Sequence, residues 1–345
     1  MPKCSHLWPN REMPSYSSPA QYVILLLDLI SQQGADPLSI LKNTSFERSG
    51  IQAMGARVSE SDLLQMLNNA NEISGDKVLG LHLGEKLNPS AHAVLGQAFL
   101  TCESLGLVIE LFMKYYQILS PTLEVNYYQK DNRCYLQPIN SGALSDRFGY
   151  ETFFSAVKNT LTAMLGGQEL ALAFEFNYSQ PDYVDEYRRV LGDDLSFDTK
   201  VTQLSFDQQL LSLTLPTSNP ALMALYEQEC KRVLADIESE QTLAEQTLRL
   251  LRKLEGHYPQ MSQTAQLLNM STRTYRRRLA EEDLSFQQLL DTVRLEHVDY
   301  YLTKTNLPMF SIALNVGFND ASNFRRAYVK WTGETPQQAR RNKRS

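Results

Sequence analysis

At 345 residues the chain is long enough for two domains with separate cores, and its formal charge of −6, taken whole, argues against a polyanionic partner. The sign is divided along the chain, however: from Gln241 onward 16 Lys+Arg stand against 10 Asp+Glu, a balance of +6, and the remainder carries −12. The four cysteines Cys4, Cys102, Cys134 and Cys230 are scattered, without short paired spacings or a histidine set beside them, so neither a disulfide framework nor a metal site is expected.

Residues 1–18 are polar and proline-rich and read as a flexible tail. The apolar stretch at 22–30 is too short to span a bilayer and lacks signal-peptide flanks, so a cytoplasmic location beside the nucleoid is expected. Helical patterns follow over 22–33, 36–42 with Pro37 in the first turn, 59–73 opened by Ser59, 77–86, 93–102 and 105–120, a helical bundle. After Pro121 the period changes. LEVNYYQKDNRCYLQPI alternates around Lys130-Asp131-Asn132, a hairpin signal; 148–165 returns to helix, LALAFEFNY is strand-like, 182–191 is helical, and 196–216 holds one or two further strands. Residues 19–217 therefore read as an α+β module, a bundle followed by a mixed or antiparallel sheet with helices.

Within this module Tyr127, Tyr135, Phe154, Phe174 and Phe176 are candidates for lining an effector pocket, although core packing is the ordinary role of such residues. Arg57, in a segment that opens a helix, is a candidate clamp for a carboxylate. The sequence has no G-x-S-x-G, H-E-x-x-H, P-loop or Rossmann fingerprint, so neither an enzyme nor a cofactor is expected. The stretch 219–254 reads as helical throughout, with Leu222, Leu225, Tyr226, Glu229, Val233 and Ile237 as its stripe. It is a connector (218–240), a dimer contact or a helix packed on its own domain.

The domain from Gln241 onward is all-α in pattern. Ser262 and Ser271 are placed to cap two short helices meeting at Asn269 and Met270. In the second, Tyr275 and Leu279 stand four apart and face inward, leaving Arg273, Arg276, Arg277 and Arg278 at or near the surface. The device recurs over 311–332: Ser311 as a cap, Gly317 in a left-handed turn, Asp320 as the next cap, then Phe324, Tyr328 and Trp331 at helical spacing. Ala321, Ser322, Asn323, Arg325, Arg326 and Lys330 fall on the other faces. An α-helix fits the major groove, arginine forks onto guanine and asparagine onto adenine, so each second helix suits base reading. Between the pairs, apolar residues at 286, 289, 290, 293, 298, 301 and 302 mark one joining helix, with His297 on the same stripe as a packed histidine. Pro336, after Gly333, closes the second unit.

These residues resemble the AraC-type family of bacterial transcription regulators over about 240–340. The likeness rests on Met270-Ser271-x-Arg273-x-Tyr275-x-Arg277, on Ala313-x-x-x-Gly317-Phe318-x-Asp320-x-Ser322-x-Phe324-x-Arg326-Ala327-Tyr328, and on Trp331-Thr332-Gly333-x-Thr335-Pro336. It implies two helix-turn-helix units (262–283 and 311–332) in a DNA-binding domain over 241–345. Base contacts would come from Arg273, Arg276, Arg277, Ala321, Ser322, Asn323 and Arg326. Asp283 stands where the family usually has glycine, and Asn315 where a small or apolar residue is common. Residues 20–215 look like the first domain of the ornithine/arginine-regulator subgroup, through Gly80-Leu81-x-Leu83-Gly84 and Leu195-Ser196-Phe197.

The expected partners are promoter DNA, RNA polymerase, a second copy of the chain and a small effector, amino-acid-like or fatty-acid-like. The alternatives are an effector-independent dimeric regulator and an enzyme domain fused to an AraC-type reader.

Overall fold

The chain divides after Ile237 into two units, each with its own cores, in the computed structural model, which describes residues 17–46, 56–120, 123–139, 147–240, 242–252, 254, 256–305 and 307–344. The first unit opens with β1 (Ser17–Pro19), paired antiparallel with β2 (Arg57–Ser59). The expected tail therefore ends early: Ser17 and Ser18 are tied into a ladder, and residues 1–16 lie outside the described residues.

The helices follow their sequence signals closely. They are α1 (Gln21–Gln32), α2 (Glu60–Ser74), α3 (Leu79–Lys86), α4 (Ala93–Thr101) and α5 (Leu105–Tyr115), with tight 3-10 turns at Pro37–Leu41, Pro89–His92 and Tyr116–Ile118. Ser59 caps α2 by accepting from the Asp62 N–H, and Ser104 caps α5 through Leu107. Then come β3 (Glu124–Lys130), β4 (Arg133–Ile139), α6 (Arg147–Met164), β5 (Ala173–Glu175), α7 (Val184–Leu191), β6 (Leu195–Ser196) and β7 (Gln203–Asp207). Asp131 (φ 50°) and Asn132 (φ 59°) turn the β3–β4 hairpin in the doubly left-handed form that a two-residue loop prefers. The sheet order is β3-β4-β7-β5-β6, antiparallel except for the parallel β5–β6 pair. Of the strand-like stretch LALAFEFNY, only Ala173–Glu175 forms regular strand.

Helices α3 and α6 pack closely against each other. A Cβ on Gly80 would lie 2.7 Å from the Phe148 carbonyl, and one on Gly84 2.6 Å from the Thr152 carbonyl. The two glycines, one turn apart, let the backbones approach, and Ser155 and Asn159 of α6 donate to the Leu81 and Glu85 carbonyls at 2.8 Å.

The expected unbroken helix over 219–254 is two helices, α8 (Pro220–Glu240) and α9 (Leu243–Arg252). Thr242 and Glu245 cause the break by capping each other: the Thr242 N–H donates to the Glu245 carboxylate at 2.8 Å and the Glu245 N–H to Thr242 Oγ1 at 3.2 Å. The apolar stripe of α8 is also phased differently from the expectation. Tyr226, Cys230, Val233 and Ile237 pack on the first unit, whereas Leu225 is 61% exposed.

The second unit continues with α10 (Met261–Leu267), α11 (Thr272–Glu281), α12 (Phe286–Lys304), α13 (Met309–Asn315), α14 (Ala321–Thr332) and α15 (Pro336–Arg344). It has two cores. One gathers Leu243, Leu248, Leu251, Ala265, Tyr275 and Leu279; the other gathers Ile312, Ala313, Val316, Phe324, Tyr328 and Trp331. α12 serves both, giving Leu289, Leu290 and Val293 to the first and Leu295, Val298 and Leu302 to the second.

Three boundaries depart from the sequence reading. α10 starts after Gln260, whose N–H donates to Gln263 at 2.8 Å, so Ser262 lies inside the helix. α13 starts after Pro308, which has no N–H to satisfy, so Ser311 is also internal. Pro336 opens a helix rather than ending the unit. It stands at the first helical position, Thr335 and Gln338 cap each other, and Ala339 enters the second core.

Candidate nucleic-acid interface

α10 and α11 meet at Asn269, whose φ of 56° makes the left-handed turn. Ser271 caps α11 by accepting from the Thr274 N–H at 3.2 Å. Tyr275 and Leu279 are fully buried and fix the rotation of the helix, so Arg273, Arg276, Arg277 and Arg278 are all exposed. Arg277 pairs with Glu281 at 2.6 Å; the side chains of the other three make no hydrogen bond or ion pair among the described residues.

The second pair repeats the construction. Gly317 (φ 73°) makes the turn, and Asp320 caps α14 through the Asn323 N–H at 2.7 Å. Phe324, Tyr328 and Trp331 anchor the helix, leaving Ser322, Asn323, Arg325, Arg326 and Lys330 exposed and Ala321 half-buried. The Asn323 side chain is held at both ends: its Nδ2 donates to Asp320, and its Oδ1 accepts from Arg326 Nη2 at 2.6 Å. Arg325 and Lys330 have no partner among the described residues.

α12 is bolted to both sides. Glu296 accepts a two-pronged pair from Arg252 of α9 at 2.7 and 2.8 Å, and its pKa stays below the ordinary carboxylate value because the Arg252 charge and hydrogen bonds outweigh burial. His297 Nδ1 lies 2.6 Å from the Tyr258 hydroxyl. Arg294 spans the loop before α10 and the turn before α14, contacting Tyr258, Phe318 and the Gly317 carbonyl; burial lowers its pKa.

Several exposed helix cations of the first unit are paired in place: Arg188 with Asp185, Arg189 with Glu85 and Glu186, Lys114 with Glu227. On α11 and α14, by contrast, Arg273, Arg276, Arg278, Arg325 and Lys330 carry charge without a counter-ion among the described residues. Unscreened guanidinium and ammonium groups on exposed helices attract phosphate strongly.

The first unit contains a cavity of about 200 Å³ between its helices and the sheet, with Leu83, Phe99, Phe153, Leu161, Leu204 and Phe206 among its walls. None of the six residues expected to hold an effector lines it. Phe154, Phe174 and Phe176 are fully buried core, with Phe154 edge-packed against the other two. Tyr127 donates to Cys134 at 3.3 Å, Tyr135 stacks on Tyr128 at 4.8 Å, and Arg57 donates to the Ile118 carbonyl at 2.9 Å. The polar residues that do line the cavity include Tyr22, His92 and Thr160. They come from three separate segments, and no spacing in the sequence links them.

The chain thus joins an α+β domain to a helical domain that carries exposed arginines on two of its helices. Comparison with known proteins agrees. The chain matches the family model for the arabinose-binding domain of AraC transcription regulator, N-term, over residues 34–215, and that for a helix-turn-helix domain over 264–342. It is 33% identical to the ornithine utilization regulator of Pseudomonas aeruginosa, over 93% of this chain and 96% of that protein. The HTH-type transcriptional regulator VqsM of the same species is 26% identical, over 82% of this chain and 89% of its own. The crystal structure of the transcriptional regulator CdpR from P. aeruginosa aligns over 92% of this chain and 97% of its own, at 20% identity and a TM-score of 0.43. The chain belongs to the AraC-type family of DNA-binding transcription regulators, with an arabinose-binding-like first domain. The relatives are named as regulators, not as enzymes, and no helix among the described residues is long and apolar enough to cross a membrane.

Proposed function

We propose that the protein reads promoter DNA with two helix-turn-helix units, 262–283 and 311–332, in a DNA-binding domain over 241–345, under control of an effector bound within 19–217. α11 and α14 are the reading helices. The observation that carries this is that Arg273, Arg276 and Arg278 on α11 and Arg325 and Lys330 on α14 are exposed and have no counter-ion among the described residues. Arg273, Arg276 and Arg277 contact bases in one major groove, and Ala321, Ser322, Asn323 and Arg326 in the next; Arg278, Arg325 and Lys330 hold phosphates. α12 has 19 residues, or about 28 Å at roughly 1.5 Å each, which with its flanking turns suits a separation near one duplex turn, about 34 Å. One protomer then covers two successive grooves.

Exposed Leu222 and Leu225 on α8 support pairing of two copies there, and the bound regulator recruits RNA polymerase in the cytoplasm. The test is selection of bound duplexes from a random library with the full chain. An enriched site with two conserved blocks about ten base pairs apart supports the reading; binding without enrichment, or a single block, refutes it.

A further inference from the structure

The cavity of the first unit has a chemistry that restricts what enters it. Among the described residues its lining holds no Asp, Glu, Lys or Arg, and most of it is aliphatic or phenyl surface. Its main polar feature is a relay. The Tyr22 hydroxyl lies 3.1 Å from His92 Nδ1, His92 Nε2 lies 3.2 Å from Thr160 Oγ1, and Thr160 Oγ1 donates to the Leu87 carbonyl at 3.2 Å.

The proton positions follow from counting. Thr160 has one hydroxyl proton, and the Leu87 carbonyl takes it. His92 Nε2 must then carry its own hydrogen and donate to Thr160, which leaves Nδ1 to accept from Tyr22. Protonating both ring nitrogens is not an option at neutral pH, because burial pushes His92 down to about 4. The donors thus run in one direction, from Tyr22 to Leu87. With its proton committed, Tyr22 has only lone pairs left to offer.

We infer that the cavity binds an uncharged ligand with an apolar body of medium length and one hydroxyl-type donor directed at the Tyr22 oxygen. This rests on the reading that the first unit holds the effector. A zwitterionic amino acid would bring charged groups out of water to a lining whose described residues supply no counter-charge. A carboxylate has no proton to give Tyr22, and the nearby Arg57 is outside the lining with its guanidinium on Ile118. An apolar cavity of about 150 Å³ accepts benzene, so this one takes a body somewhat larger, a chain of roughly eight carbons.

Isothermal titration calorimetry of the full chain with 1-octanol, octanoate and L-ornithine at pH 7.5 tests the assignment. The expected result is saturable octanol binding with a negative heat-capacity change, octanoate at least tenfold weaker, and no binding of ornithine. Octanoate binding as tightly as octanol, or ornithine binding in its place, overturns the inference. Ala156→Phe, which fills the cavity from α6, should abolish octanol binding, and retained binding places the alcohol elsewhere and overturns it. If that variant does not fold, Tyr22→Phe should weaken octanol about tenfold while leaving binding of a hydrocarbon such as benzene unchanged; equal octanol affinity overturns the assignment. Duplex selection by the same preparation separates the two readings. Selective DNA binding with no binding of any of the three compounds sinks the ligand assignment alone.

Discussion

Arg294 Nη2 donates to the Gly317 carbonyl across 3.0 Å, joining the middle of the long helix α12 to the turn between α13 and α14. The same guanidinium lies 4.6 Å from the Phe318 ring centroid and 5.4 Å from that of Tyr258. One side chain thus ties the loop before the first helix pair to the turn of the second. Replacing it with methionine keeps the bulk and removes a charge-assisted hydrogen bond and two ring contacts. We expect a loss of about 2 kcal/mol in the stability of the second unit, read from urea denaturation on Trp331 fluorescence. An unchanged midpoint would mean that the bridge contributes nothing.

The turn that Arg294 meets is itself demanding. Gly317 has φ 73°, and a Cβ there would lie 3.1 Å from Tyr258 and 3.3 Å from Arg294. Gly317→Val should cost at least 2 kcal/mol or so, since a β-branched residue is strained there even in open space. The converse holds at Asp283, which sits at φ 56° without being glycine. Asp283→Gly should raise stability by about 0.5 kcal/mol, and a fall on thermal denaturation would contradict it.

The α3–α6 contact predicts a sharp size limit. Gly84→Leu must drive the helices apart, because even a methyl group meets the Thr152 carbonyl at 2.6 Å. A drop of about 3 kcal/mol in the first unit is expected. Gly34→Ala serves as the control, with open space around it and strain only from φ 80°. If the two variants melt together, close packing is not what the glycine provides.

His92 gives the first unit a pH dependence. Its folded pKa is about 4, below the ordinary 6.5, because burial disfavours the charged ring. The unfolded chain therefore binds more protons between these values, so stability is full above about 6.5 and falls by roughly 3 kcal/mol at most as the pH drops to about 4. His92→Gln should flatten that segment of a stability-versus-pH curve. A wild-type curve already flat between pH 6.5 and 4 would disprove it.

On DNA, Arg276→Ala and Arg326→Ala should each cost about 1–3 kcal/mol and relax preference at one base position. Lys330→Ala should weaken all duplexes alike and reduce the salt slope by about one. Fluorescence anisotropy on a matched and a scrambled duplex checks both, and equal losses for Arg276→Ala on the two would remove its reading role.

Local signals carried most of the fold into view. Ser59, Asp320 and Gly317 act through their own backbone neighbourhoods, and the inward phase of Tyr275 with Leu279 or of Phe324 with Tyr328 and Trp331 follows from helical period alone. The Thr242–Glu245 break was also written locally, as T-x-x-E, but the long run of helix formers around it masked the signal. The phase of α8 depends on the surface it meets, which no local pattern specifies. The cavity was the least legible feature: Tyr22, His92 and Thr160 are brought together by tertiary packing, while the conspicuous Phe154, Phe174 and Phe176 fill the core.

Because α12 lends one half of its apolar stripe to each core, the separation of α11 from α14 is built into a single rod and not into a linker. On the proposed reading, in which α11 and α14 each take one half of an operator, such an arrangement does not stretch to follow an altered target, and five base pairs inserted between the halves should rotate one block to the far side of the duplex and forfeit half the contacts.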